Sequence, residues 1–212
     1  LIAPPPTATQ PQDLTMCSRS QTQNDAYFNL VSQNPTVLNG QSGGIYSIRY
    51  YTSLLNATNA TSPISTANSN NFLSSGQTIY VRVFNSQDPD CFSITSFNLI
   101  VNPTPIVDEL EDVVVCSNYT LQPLTNGNYF TETDGGGTML NAGHVITETT
   151  TLYIYNQPTG STCGANSSFT ITIIDLPTLT PANVTNCGSY TLPSLDYGKY
   201  YTGPGASGTE IP

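Results

Sequence analysis

Apolar and polar side chains alternate in short runs along much of the chain. Ile79, Val81 and Val83 are interleaved with Tyr80, Arg82 and Phe84, and Phe169, Ile171 and Ile173 with Thr170 and Thr172. A period of two is that of a strand with one face turned to a core. Further strands are expected at 27–30, 45–51, 113–116 and 129–131, separated by Asn39-Gly40, Gly43-Gly44, Asn126-Gly127 and the triplet Gly135 to Gly137, residues that suit tight turns. No segment sustains a 3.6-residue apolar period, so the expected fold class is all-β.

The pattern also repeats. Cys116, Tyr119, Thr120, Leu121, Leu124, Gly127, Tyr129 and Thr131 recur 71 residues later, without a gap, as Cys187, Tyr190, Thr191, Leu192, Leu195, Gly198, Tyr200 and Thr202. A second match joins the earlier part of the chain to the middle: Thr78, Ile79 and Tyr80 with Cys91 and Phe97 parallel Thr151, Leu152 and Tyr153 with Cys163 and Phe169, the Phe standing six residues after the Cys in both. Self-similarity at a fixed period marks tandem modules. The expected division is a Pro-rich linker at 1–12, one module at 13–103, a second at 104–177, and the start of a truncated third at 178–212. Pro103, Pro105, Pro177 and Pro181 punctuate the module ends. The opening run from Ala3 to Thr7 reads as a linker inside a longer polypeptide.

Five cysteines fall into this scheme. Cys17 and Cys91 lie in the first module and Cys116 and Cys163 in the second, so bridges Cys17–Cys91 and Cys116–Cys163 are expected, each tying the first strand to the loop before the last. Cys187 corresponds to Cys116, would find its partner near position 234, and is unpaired in this stretch of chain. Such loops would each stabilise a module by about 4 kcal/mol in the chain-entropy model. The competing reading is a metal site, but no Cys-x-x-Cys pair occurs and His144 is the one histidine. Disulfides imply an oxidising, extracellular compartment.

Charge narrows the partners. Only 8% of residues are Asp, Glu, Lys or Arg, and the net charge is −10. With Arg19, Arg49, Arg82 and Lys199 as the only cations there is no basic stripe for nucleic acid or for an anionic membrane surface. Asp108, Glu109, Glu111, Asp112, Glu132, Asp134, Glu148 and Asp175 all fall within 104–177, which has no Lys or Arg. The first four cluster at the junction of the modules, where hard oxygen ligands could hold calcium; a solvated acidic linker is the plainer reading. No run is long and apolar enough to cross a membrane as a helix.

Catalytic chemistry finds little support. His144, in a Gly-containing turn, reads as a surface histidine. Glu132 and Asp134, the one conceivable carboxylate pair, align with Gly203 and Gly205 in the next copy, so they read as loop acids. Asp88 and Asp90 read as a turn. Tyr50, Tyr51, Tyr129, Tyr200 and Tyr201 are candidates for stacking on sugars, against the plainer reading that Tyr suits a half-buried sheet.

The combination of the Cys116-to-Thr131 pattern, the Gly-rich turn, Ala142-Gly143, Val145-Ile146, the 151–155 strand, Cys163 and the 169–173 strand resembles the repeats of giant surface adhesins of gliding bacteroidete bacteria. Residues 48–53, 78–83, Cys91 and 101–105 resemble a companion repeat of the same proteins. The resemblance implies tandem immunoglobulin-like β-sandwich modules, export by the type IX secretion system, display outside the outer membrane, and contact with the secretion and gliding motility machinery. It supplies no catalytic residues. The core Trp of a true immunoglobulin domain is absent. The expected function is therefore a non-enzymatic, disulfide-stapled stalk for cell adhesion or gliding, its partners the neighbouring repeats of the same chain and surface glycans or proteins. The alternative is a pair of glycan- or protein-binding accessory modules of a secreted hydrolase.

Overall fold

The computed structural model describes residues 4–175, 183–195 and 197–212. The boundary expected at Pro177 and Pro181 lies outside the described residues.

The first unit is built on β1 (Leu14–Cys17), β2 (Ala26–Phe28), β3 (Tyr46–Tyr51), β4 (Phe72–Ser74), β5 (Gln77–Asn85) and β6 (Phe92–Asn102). One sheet has the order β1-β6-β5-β3, and β2 pairs with β4 in a second, smaller sheet. β5 and β6, the long strands with the clearest alternation, run antiparallel in its middle, from Gln77 opposite Leu99 to Phe84 opposite Phe92. β1 is added at the edge in parallel, with Leu14 beside Leu99 and Cys17 beside Asn102. Ile79, Val81, Val83, Phe97 and Leu99 fill the space between the sheets with Ala26, Phe28 and Leu30.

The second unit repeats the plan with β7 (Val113–Cys116), β8 (Tyr119–Thr120), β9 (Asn128–Phe130), β10 (Met139–Leu140), β11 (Val145–Ile146), β12 (Thr150–Asn156) and β13 (Ala165–Ile174). Its sheets are ordered β10-β9-β12-β13-β7 and β11-β8. In both units the third, sixth and seventh strands of an immunoglobulin domain lie side by side and the second pairs with the fifth across the core. The fold is thus all-β and immunoglobulin-like. A tyrosine stands where the core Trp would be. Tyr50 on β3 meets Phe97 edge-on at 6.5 Å between ring centres, and Tyr129 on β9 meets Phe169 at 6.0 Å. Each hydroxyl finds a backbone carbonyl, Tyr50 donating to Leu30 and Tyr129 to Gln122.

In the third stretch β14 (Tyr200–Tyr201) and β15 (Glu210–Ile211) form a hairpin that copies β9 and β10. Tyr200 donates to the carbonyl of Pro193 as Tyr129 does to that of Gln122, and the Thr202 hydroxyl accepts from the Thr209 N–H as Thr131 does from Thr138.

Three short helices depart from the expectation of strands throughout: α1 (Asn34–Leu38), α2 (Leu54–Asn59) and α3 (Thr66–Ser69). They are set by end signals and not by apolar period. Pro35 opens the first turn of α1, and the Ser53 and Ser65 hydroxyls accept from the N–H groups of Asn56 and Asn68. Segments of four to six residues are too short to display a 3.6-residue period.

The expected linker at 1–12 is also corrected from Pro4 onward. Pro6 and Pro11 are buried, Thr9 donates its N–H to the Val37 carbonyl, and the carbonyls of Pro4 and Pro6 accept from Tyr46 and Ser93. A proline arm can cover a sheet because it asks for few backbone partners of its own.

Candidate functional site: the joint between the units

Cys17 is bonded to Cys163, with 5.6 Å between the two Cα atoms and 146 residues between them in sequence. The bond joins the first unit to the second, whereas the module scheme led to the pairs Cys17–Cys91 and Cys116–Cys163 inside the units. The reason for the difference is the parallel edge strand. Because Cys17 lies beside Asn102, at the exit of β6, and Cys91 precedes the entry of β6, the length of that strand separates them. At about 3.3 Å per residue this is roughly 35 Å, when a disulfide tolerates at most about 7 Å between Cα atoms. The same holds in the second unit, where Cys116 lies beside Ile174 at the exit of β13 and Cys163 precedes its entry. Each unit carries one cysteine at either end, and the bond forms where the exit end of one meets the entry end of the next.

Both halves of the joint are held. On the first unit, Ser18 donates its N–H to the Asn102 carbonyl, its hydroxyl accepts from the Thr104 N–H, and the Thr104 hydroxyl donates to the Ser18 carbonyl. The chain leaving the first unit is thereby tied to the residue after Cys17. On the second unit Cys163 is buried and donates its N–H to the Ser161 hydroxyl, while the Ser161 carbonyl accepts from the Gln157 amide. Gly164 follows because the Tyr155 ring lies against it; a Cβ there would meet ring carbons at 2.6 and 2.7 Å.

The loop carrying Cys91 is held differently. Arg82, on β5 at the place Tyr155 occupies on β12, is only 3% exposed. Its guanidinium donates to the carbonyls of Ala57, Thr58 and Pro89 and stacks on Phe92, the counterpart of Gly164. The ring, the glycine, the arginine and the phenylalanine solve one problem, filling the space beneath a cysteine loop, in two ways. Alternation with Ile79, Val81 and Val83 sets Arg82 on the face away from the core; α2, which covers that face, supplies two of the three acceptors.

The acidic junction does not gather into one site. Asp108 accepts from the N–H groups of Thr125 and Asn126 and from the Asn126 amide, and these bonds, the side-chain one first, hold its carboxyl below the usual range. Asp112 accepts from the Thr170 N–H. Glu109 and Glu111 are exposed. Among the described residues no three His, Cys, Asp or Glu side chains form a group able to hold a metal ion; of the four acids considered for calcium beside the plainer reading of a solvated linker, Asp108 and Asp112 are engaged in the hydrogen bonds above. The segment itself is no free linker: Val107 is buried in the second core, and the Ile106 and Asp108 carbonyls accept from Asn156 and Ser167.

The tyrosines divide. Tyr50, Tyr51 and Tyr129 are buried and offer no platform for a sugar, while Tyr200 and Tyr201 are half-buried. His144 lies in an exposed turn. Asp134 pairs with Asn166 on the surface, and the backbone carbonyl of Asp88 closes the exposed turn before Cys91 by accepting the Cys91 N–H.

Residues 13–105 match the model of a family described as the Flavobacterium inter-domain disulphide bond domain. Cys17 lies inside that match and its partner Cys163 outside it, so the bond is inter-domain in this chain as well. No curated protein matches the chain. Among solved structures, the chain is similar to the first four immunoglobulin domains of Sidekick-1 (14% identity, TM-score 0.27, covering 80% of this chain and 51% of that one). It is also similar to the N-terminal eight immunoglobulin domains of Down Syndrome Cell Adhesion Molecule (14%, 0.26, 84% and 29%) and to human mucin-like protocadherin EC1-2 (8%, 0.21, 62% and 85%). The chain spans about half the length of the first of these.

Proposed function

We propose that this chain is a non-enzymatic segment of a secreted bacterial surface adhesin, a stalk whose successive immunoglobulin-like units are locked end to end for attachment or gliding. The observation that carries the reading is the Cys17–Cys163 bond between units. A protein that needed its two domains to close on a substrate would lose that freedom to such a bond; a spacer gains a fixed direction from it. The bond also needs an oxidising compartment, which fits export. The burial of Tyr50, Tyr51 and Tyr129 supports a spacer over a sugar-binding face, because three of the five aromatic candidates are taken up by the interior.

The test is made on the cells that produce the protein. A membrane-impermeant biotin reagent should label it on intact cells, and cells carrying Cys17→Ser with Cys163→Ser should retain surface labelling but attach or glide less well. Protein protected from the reagent until lysis would remove the surface reading, and unchanged attachment and gliding after deletion of the whole segment would remove the adhesive one.

A further inference from the structure

We infer that Cys91 and Cys116 are the two open halves of the same joint, and that each is bonded to the complementary cysteine of another unit of this kind, so that the covalent link runs on in both directions. The inference rests on the proposed end-to-end array, and its ground is the geometry of the bond already formed.

Cys116 stands where Cys17 stands. Each closes the first strand of its unit, β7 and β1, and each lies beside the last residue of the unit's final strand in a parallel pairing, Cys116 with Ile174 and Cys17 with Asn102. Each is followed by a serine whose N–H donates to that partner's carbonyl, Ser117 to Ile174 at 3.4 Å and Ser18 to Asn102 at 2.8 Å. Cys17 is bonded in this setting; Cys116 is exposed and unbonded. Cys91 in turn stands where Cys163 stands, in the loop entering the final strand, six residues ahead of the core phenylalanine, Phe97 or Phe169. It too is unbonded. By the strand length described above, neither can reach the other cysteine of its own unit, and Cys187 repeats the Cys116 position.

The observed interface is head-to-tail: an exit end meets an entry end, and the two surfaces differ. Contacts of this type do not close on themselves unless the units form a ring, and otherwise propagate. The first unit thus presents an unused entry end with Cys91, and the second an unused exit end with Cys116. The partner of Cys116 is a cysteine of the Cys163 type, in the loop before a final strand; the partner of Cys91 is a cysteine of the Cys17 type, closing a first strand.

Formation needs an oxidant, for which a low-molecular-weight disulfide such as oxidised glutathione suffices. The Cys116 thiolate attacks one glutathione sulfur and releases the other as thiolate, giving a mixed disulfide. The partner cysteine's thiolate then attacks the Cys116 sulfur and releases the second glutathione. Two cysteine thiols lose two electrons and two protons, and one glutathione disulfide becomes two thiols.

The test uses the protein as its own cell makes it. Free thiols are capped with N-ethylmaleimide before lysis, and peptides are mapped by mass spectrometry without reduction. Three linkages are expected: Cys17 to Cys163, Cys116 to a cysteine in an entry loop of another unit, and Cys91 to a cysteine closing the first strand of another unit. Either Cys91 or Cys116 carrying N-ethylmaleimide or glutathione would overturn the inference while leaving the Cys17–Cys163 joint standing. Capped Cys17 and Cys163 would instead overturn the locked stalk itself.

Discussion

The guanidinium carbon of Arg82 lies 3.5 Å from the centre of the Phe92 ring, deep under the loop that carries Cys91. Among the described residues no carboxylate pairs with it; three carbonyls answer the charge, two of them at the C-terminal end of α2, where the helix dipole is negative. Arg82→Met should therefore strand these acceptors and cost about 3 kcal/mol, read as a fall in the urea midpoint of the first unit. Arg82→Lys should recover only part of this, since an ammonium lacks the fork that reaches both sides.

Adjacent tyrosines on β3 should respond in opposite ways. Tyr50→Phe leaves the Leu30 carbonyl and the Asn34 side chain without their donor and should cost about 1 to 2 kcal/mol. The Tyr51 hydroxyl is buried with no hydrogen-bond partner among the described residues, so Tyr51→Phe should change stability by less than about 0.5 kcal/mol or raise it. Paired denaturation curves separate the two.

Acid should weaken both units by one mechanism. The carboxyls of Asp25, held by Arg19, and Asp108, held by Asn126 and Thr125, titrate below their usual range in the folded chain. Their contribution is complete above the unfolded aspartate value of about 3.9 and is lost as pH falls through the lower folded value. Unfolding followed from pH 6 downward should steepen below about pH 4. The Asp108→Asn variant should have a shallower acid limb.

Reducing the joint should lower stability without dissolving the units. The chain-entropy model gives about 5 kcal/mol for a loop of this length. Calorimetry with and without reductant should record a lower midpoint, while the far-ultraviolet spectrum of the reduced protein at room temperature stays unchanged, because each core is complete on its own side of the bond.

Gly164→Ala should disturb the loop beside Cys163, by about 1 to 3 kcal/mol, through collision with the Tyr155 ring. Combining it with Tyr155→Leu should recover part of the loss, which a double-mutant cycle in thermal unfolding would record.

Alternation located the long central strands because β5, β6, β12 and β13 each run for seven or more residues and carry apolar side chains at alternate positions toward the core, as at Ile79, Val81 and Val83 or Phe169, Ile171 and Ile173. It found Val113–Cys116 at its observed bounds as well. What alternation does not encode is the direction of a neighbouring strand. Had β1 run antiparallel to β6, Cys17 would have sat at the other end of the unit, nearer Cys91. The recurrence of the cysteines was legible, and it was the right signal, since the same two types alternate along the chain at Cys17, Cys91, Cys116, Cys163 and Cys187. Reading it as pairing within units needed a topology that period-two patterns do not supply. Arg82 escaped for a related reason: alternation sets it opposite the core-facing Val81 and Val83, and only the fold lays α2 across that second face.

The position of the Cys17–Cys163 bond has a mechanical consequence. Tension applied to the two ends of the chain enters along 4–17, crosses the sulfur–sulfur bond, and leaves along the strand that begins after Cys163. Residues 18–162, which hold most of both sandwiches, form a closed loop beside this route and bear none of the pull. The joint is a shunt: it carries load past the closed loop, leaves only β1 and β13 on the route, and limits how far the pair can be drawn out before a covalent bond must break.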